Sequence, residues 1–261
     1  MRAHVAARLP PPSGGSGVID VSTLDPRPAG FPGCMSCPYR ATGTPAICFA
    51  CANDGTAPVP VVACPVCGQE IEGDRCTNTV CTVDDRWFSR VYTATWRQEE
   101  MWAALWRYKY DQNQEWAPIL GRILVGFLDE RRDELAGYDL ITNTALYVGP
   151  MARRLWDTLR LVLDGAMAVG PDWPFAPDLI IKTRPSGQFL GRSVETRRAI
   201  AEHSLRDALE VPRPELVTGR RILVLDDVYS EGFTLREMAR VLVGAGAAEV
   251  SGLMLARRKG G

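Results

Sequence analysis

The chain has 261 residues, with 30 Lys and Arg against 31 Asp and Glu and a formal net charge of −1. So even a balance gives no electrostatic drive toward a nucleic-acid backbone or an anionic membrane surface. No stretch approaches the roughly 20 apolar residues that cross a bilayer, and the length suits one α/β domain with a small accessory unit.

Residues 1–32 are rich in Pro, Gly, Ser and Ala without periodicity, the composition of a disordered leader. They lack the apolar core of a secretory signal, so the expected compartment is the cytoplasm.

Residues 33–85 hold every cysteine of the chain: Cys34, Cys37, Cys48, Cys51, Cys64, Cys67, Cys76 and Cys81. Three Cys-x2-Cys knuckles and a final spaced pair match two tetrahedral four-cysteine zinc sites. Sequential pairing would join the first four and the last four; an interleaved pairing is open. With four thiolates closing each shell no position is left for a catalytic water, so the expected role of the two Zn2+ is structural. Only Arg40 and Arg75 face Asp54, Glu70, Glu72, Asp74, Asp84 and Asp85 in this block. Such a surface disfavours single-stranded DNA and suits a protein partner better.

Residues 86–135 read as a helical connector, with Trp96, Trp102, Leu105 and Trp106, then Ile119, Leu120, Ile123, Leu124 and Phe127 at helical spacing, broken near Pro118. These aromatics are expected in the core. From 136 to the end, elements alternate: a strand over 138–147, a helix over 154–169, a strand over 179–182, a helix over 194–209, a strand over 221–225, a helix from Thr234 and a strand over 250–255. That order argues a parallel, doubly wound sheet.

The most informative stretch is 220–234. The aliphatic run Ile222 to Leu225 suits a strand buried on both faces, and it leads into Asp226-Asp227, a short turn with Gly232 and a helix. Ligands of open α/β sheets bind at the carboxyl ends of strands, and helix N-termini favour phosphate. Ser230, Glu231, Gly232, Phe233 and Thr234 form the expected cradle. Two carboxylates beside an anion are best used as acceptors for neutral hydroxyls, which a ribose carrying a 5′-phosphate supplies.

This segment resembles the phosphoribosyl pyrophosphate motif of type I phosphoribosyltransferases. The resemblance implies ribose-hydroxyl contacts, and a catalytic role, for Asp226 and Asp227, with 5′-phosphate contacts for residues 230–234. Glu231 departs from it, standing where the family has Thr or Ser. The 182–198 segment, with Gly187 and Gly191, is similar to the family's mobile lid, which puts Lys182 and Arg184 on the pyrophosphate. Thr142 and Asn143 stand at the pyrophosphate-side loop, and Arg154 keeps a cation nearby. Mg2+ bound with the pyrophosphate is implied as well.

Zinc ribbons followed by such a domain resemble the ComF family of competence-related proteins, whose short Lys-Tyr segment is similar to Trp106-Arg107-Tyr108-Lys109-Tyr110. The resemblance implies binding of phosphoribosyl pyrophosphate or another ribose 5-phosphate compound, with transfer of phosphoribosyl to a nitrogen acceptor. The alternative is a non-catalytic factor of DNA uptake or recombination that uses its zinc module for protein or single-stranded DNA contacts.

Overall fold

The computed structural model describes residues 62–258, except 72, 74, 97, 98, 112 and 153. The leader and the cysteines at 34, 37, 48 and 51 lie outside the described residues. Among the described residues, no helix is long and apolar enough to cross a membrane.

Four parallel strands form the main sheet: β1 (Val91–Trp96), β2 (Leu140–Asn143), β5 (Arg221–Tyr229) and β6 (Glu249–Arg257), in the spatial order β1-β6-β5-β2. The expected parallel α/β sheet is present. The helices are α1 (Glu99–Tyr110), α2 (Trp116–Glu130), α3 (Arg132–Leu135), α4 (Thr158–Val169), α5 (Val194–Ile200) and α6 (Phe233–Gly244).

Alternation along β5 builds both layers. Leu223 and Leu225 join the core made with α1, α2 and α4, while Ile222 and Val224 join the core made with α6. Both faces are apolar because both are covered by helices. Within the first layer α2 lies so close to α4 that a Cβ on Gly121 would stand 2.6 Å from the Ala166 backbone nitrogen.

Several sequence expectations shift. The segment read as wholly helical opens with the edge strand β1, whose pairing with β6 is long-range and leaves no periodic signal. Pro118 lies inside the first turn of α2, where a missing N–H costs nothing, and the break falls before Trp116. Trp106 is 40% exposed and packs against Tyr110, with ring centres 4.4 Å apart and planes tilted by 44°, rather than entering the core. The strand expected over 179–182 shrinks to β3 (Ile181–Lys182), which pairs antiparallel with β4 (Leu209–Glu210) outside the main sheet. The 194–209 helix divides into α5, a π-helical turn at Ala201–Leu205 and a 3-10 turn at Arg206–Ala208.

A buried ionic network ties α6 to that π-helical turn. Glu237 is fully buried and accepts from Arg206 Nε at 2.7 Å and Arg236 Nε at 3.0 Å, and Arg236 also donates to Glu202 at 2.8 Å. Each buried charge has a partner, the condition under which burial is tolerated.

Candidate functional site at the carboxyl edge of the sheet

The register of β5 determines where its carboxylates point. Asp226 follows Val224 onto the α6 face and Asp227 follows Leu225 onto the opposite face, since side chains alternate along a strand. Both acids belong to the strand itself, which continues to Tyr229, four residues beyond the expected end.

Asp227 meets Lys109 of α1: Nζ lies 2.5 Å from Oδ2, and each side chain is 13% exposed. Burial opposes its charged form, but Lys109 and then Arg154 outweigh it and hold the Asp227 carboxyl below the usual range. Asp226 moves the other way, to about 7, first through burial and then through the adjacent Asp227 charge. The pair therefore combines one firmly ionised carboxylate with one poised near neutrality.

Arg154 reaches this position because α4 starts later than the sequence suggests. Asp157 caps the helix by accepting from the Leu159 and Arg160 N–H groups at 3.0 and 2.9 Å, which leaves 154 in the preceding loop. There Arg154 donates to Thr158 Oγ1 at 3.0 Å. Lys182 is brought down to about 8, by burial first and then by Arg154. Arg184 is exposed on the loop beyond β3.

Beside the acids, Thr142 and Asn143 end β2 in register with β5, and the N–H of Thr144, the next residue, bonds to the Leu225 carbonyl at 2.8 Å. All three side chains are buried, and Thr142 Oγ1, Asn143 Oδ1 and Thr144 Oγ1 have no hydrogen-bond partner among the described residues. Consecutive orphaned polar atoms in a buried position are costly unless a ligand or water completes them.

The turn after β5 has a left-handed Gly232, φ 91°, directly before α6. A Cβ there would meet Tyr229 Oη at 2.3 Å, so glycine is required on both counts. Phe233 is buried at the first helical position and Thr234 is partly exposed. Glu231 does not point outward. It is 4% exposed, and its Oε2 accepts from Arg197 Nη1 of α5 at 2.6 Å and from Ser230 Oγ at 2.7 Å. Its charge is thus balanced inside the loop.

The cysteine cluster lies against the same turn. The sulfurs of Cys64, Cys67, Cys76 and Cys81 all fall within 4.8 Å of one another, and Cys67 and Cys76 stand 3.7 Å apart. A tetrahedral ion with Zn–S bonds of about 2.3 Å requires sulfur separations of about 3.8 Å, which the Cys67–Cys76 pair meets, and the four thiols together are close enough to hold one metal ion. This is the last-four grouping of the sequential pairing. The knuckle also shares the α6-side core, through Cys64, Cys67, Val80 and Phe88.

Of the residues that the sequence singled out, the structure brings Asp226, Asp227, Thr142, Asn143 and residues 230–234 to the carboxyl ends of β2 and β5, whereas Lys182 lies on β3 outside the main sheet, near the charge of Arg154, and Arg184 is exposed beyond it. Sequence reading missed Lys109 and Arg197 as ion-pair partners of the motif. The Lys-Tyr segment was a signal for the first; nothing local marks the second.

Fold and site together define a parallel α/β protein with carboxylates and cations gathered at the carboxyl edge of its sheet, against a cluster of four thiols close enough to hold one metal ion. No family model and no curated protein matches the chain. Among solved structures, it is similar over 53% of its length to the allosteric regulatory enzyme of purine biosynthesis, at 22% identity and a TM-score of 0.32. A glutamine phosphoribosylpyrophosphate amidotransferase from B. subtilis, complexed with ADP and GMP, overlaps the same share at 23% identity and a TM-score of 0.34. The chain spans 25% of the length of each of these two proteins. A hypoxanthine phosphoribosyltransferase from Staphylococcus aureus overlaps 53% of this chain and 63% of its own, at 13% identity and a TM-score of 0.33. Overlaps this loose transfer no residue roles.

Proposed function

We propose that the chain binds phosphoribosyl pyrophosphate or a related ribose 5-phosphate compound at the carboxyl edge of its sheet, as a ComF-like phosphoribosyltransferase-type protein. The observation that carries the reading is the succession from the end of β5 into α6: two carboxylates, a left-handed glycine and the N–H groups of a helix start. Asp226 and Asp227 accept hydrogen bonds from the ribose hydroxyls. Residues 230–234 receive the 5′-phosphate, with N–H groups at the start of α6 as donors. Lys182 and Arg154, with the orphaned hydroxyls of Thr142 and Thr144, face the pyrophosphate side, and Arg184 joins them when its loop closes. Mg2+ bound with the pyrophosphate would neutralise the leaving group, and the carboxylates of Asp226 and Asp227 would help to organise it. The chain's own part in phosphoribosyl transfer to a nitrogen acceptor is positioning, charge balance and exclusion of water.

Glu231 favours a second reading, a non-catalytic ComF-like factor. A buried carboxylate inside the cradle occupies Arg197 and lowers the positive potential a phosphate would meet. In that case the zinc module serves a protein partner and the α/β domain is a scaffold that holds no ribose phosphate.

Calorimetric titration of the zinc-loaded protein with phosphoribosyl pyrophosphate and Mg2+ separates the two. Binding that is abolished in Asp226→Asn/Asp227→Asn supports the first reading; no heat from the wild type rejects it in favour of the second.

A further inference from the structure

The zinc knuckle does more than pack beside the phosphate turn. Asn78, fully buried between Cys76 and Cys81, donates from Nδ2 to the Ser230 carbonyl at 2.7 Å. Its other amide atom, Oδ1, accepts from the Val80 N–H at 3.2 Å, and its own N–H points at Cys76 Sγ at 3.4 Å. The Cys81 N–H closes the turn on the Asn78 carbonyl at 3.0 Å. Asn78 is therefore fixed on both sides by metal-ligand residues and directs its side-chain NH2 at the cradle.

A second contact runs parallel to the first. Arg257, at the end of β6, is fully buried and donates to Gln69 Oε1 at 2.9 Å and to Cys67 Sγ at 3.4 Å. Its guanidinium lies 4.8 Å from the centre of the Tyr229 ring, and the hydroxyl of that ring packs against Gly232. The turn is thus held at Ser230 by one side of the knuckle and at Tyr229 by the other.

The geometry points to Asn78 as a positioning residue that couples metal occupancy of the knuckle to the phosphate cradle. A trans peptide unit is planar, with its C=O and N–H pointing in opposite directions. Holding the Ser230 carbonyl toward Asn78 turns the Glu231 N–H away from the knuckle, as a donor for an anion in the turn. Four thiolates drawn onto one ion order the 76–81 turn and with it Asn78. By linkage, a phosphate bound in the turn must then raise the knuckle's metal affinity by the same factor as the metal raises phosphate affinity. The affinity half of this inference rests on the ribose-phosphate reading; the ordering of the turn does not.

The test uses full-length zinc-loaded protein, ribose 5-phosphate as the probe, and Asn78→Asp. This variant keeps the acceptor for Val80 and replaces the donor facing Ser230 with a second acceptor. With zinc content checked by elemental analysis, the expected result is a roughly tenfold weaker affinity for ribose 5-phosphate, the effect of losing one buried hydrogen bond. Amide exchange at residues 230–234 should accelerate while that of α4 stays unchanged. Asn78→Ser, which retains an acceptor but is too short to reach Ser230, should behave alike if Asn78→Asp loses its metal. Unchanged affinity and unchanged exchange in a zinc-retaining variant overturn the inference. If the wild type binds no ribose 5-phosphate, the ribose-phosphate reading fails. The exchange measurement still decides the coupling when it is run on the wild type with and without zinc as well as on the variant: acceleration at 230–234 on zinc removal and in Asn78→Asp supports it, and its absence in either overturns it.

Discussion

Lys109 and Asp227 form an ion pair across 2.5 Å that joins α1 to the acidic end of β5, and both side chains are largely withdrawn from solvent. The pair lets two adjacent carboxylates coexist in a confined edge. Replacing Lys109 by Met leaves a shielded carboxylate without its cation, at an expected cost of roughly 3 kcal/mol in denaturant unfolding. Adding Asp227→Asn should recover at least about 1 kcal/mol of that loss, and strict additivity of the two substitutions would refute the pairing.

Glu231 is expected to restrain anion binding. Glu231→Ser removes a buried negative charge from the turn and releases Arg197 to face the ligand. Calorimetry should show ribose 5-phosphate binding about tenfold tighter, near 1.4 kcal/mol. Equal or weaker affinity in the variant would mean that the carboxylate supports the turn more than it opposes the phosphate.

Asp226 gives the protein a pH-dependent stability of defined sign. Its carboxyl is raised from 3.8 to about 7 in the folded chain, so the folded state binds a proton that the unfolded state has released between those values. The stability associated with this group is fully present below pH 3.8 and is lost as pH rises through about 7, with a slope of at most about 1.4 kcal/mol per unit. Urea unfolding from pH 5 to 8 should show wild type losing ground to Asp226→Asn as pH increases. Parallel curves would remove Asp226 as the titrating group.

Close packing of α2 on α4 predicts a contrast between two glycines. Gly121→Ala drives a Cβ to within 2.6 Å of the α4 backbone and should destabilise by about 1–3 kcal/mol, visible as a lowered Tm. Gly244→Ala, at the end of α6 with nothing within 4 Å, should be neutral or slightly stabilising. Equal effects at the two sites would contradict the helix contact.

Much of this protein was legible in its residue order because the signals are local. The aliphatic run before Asp226-Asp227, the helical spacing after Gly232 and the knuckle spacing of Cys64, Cys67, Cys76 and Cys81 each depend on neighbours a few positions away. The edge strand β1 was not legible, since its identity comes from pairing with β6, far along the chain. The true start of α4 was missed by four residues, because apolar periodicity continues through the Leu155-Trp156 loop while the Asp157 cap determines the start.

By itself, then, the sequence determined a parallel α/β unit, an acidic strand end followed by a glycine turn, and a four-thiol cluster, all from short-range periodicity and backbone preference. Only the tertiary structure decided which charges meet. Lys109 on Asp227, Arg197 on Glu231 and Asn78 on Ser230 are contacts between segments distant in sequence, chosen by how the layers pack; the Lys-Tyr segment marked Lys109 as a residue of interest, but not its partner.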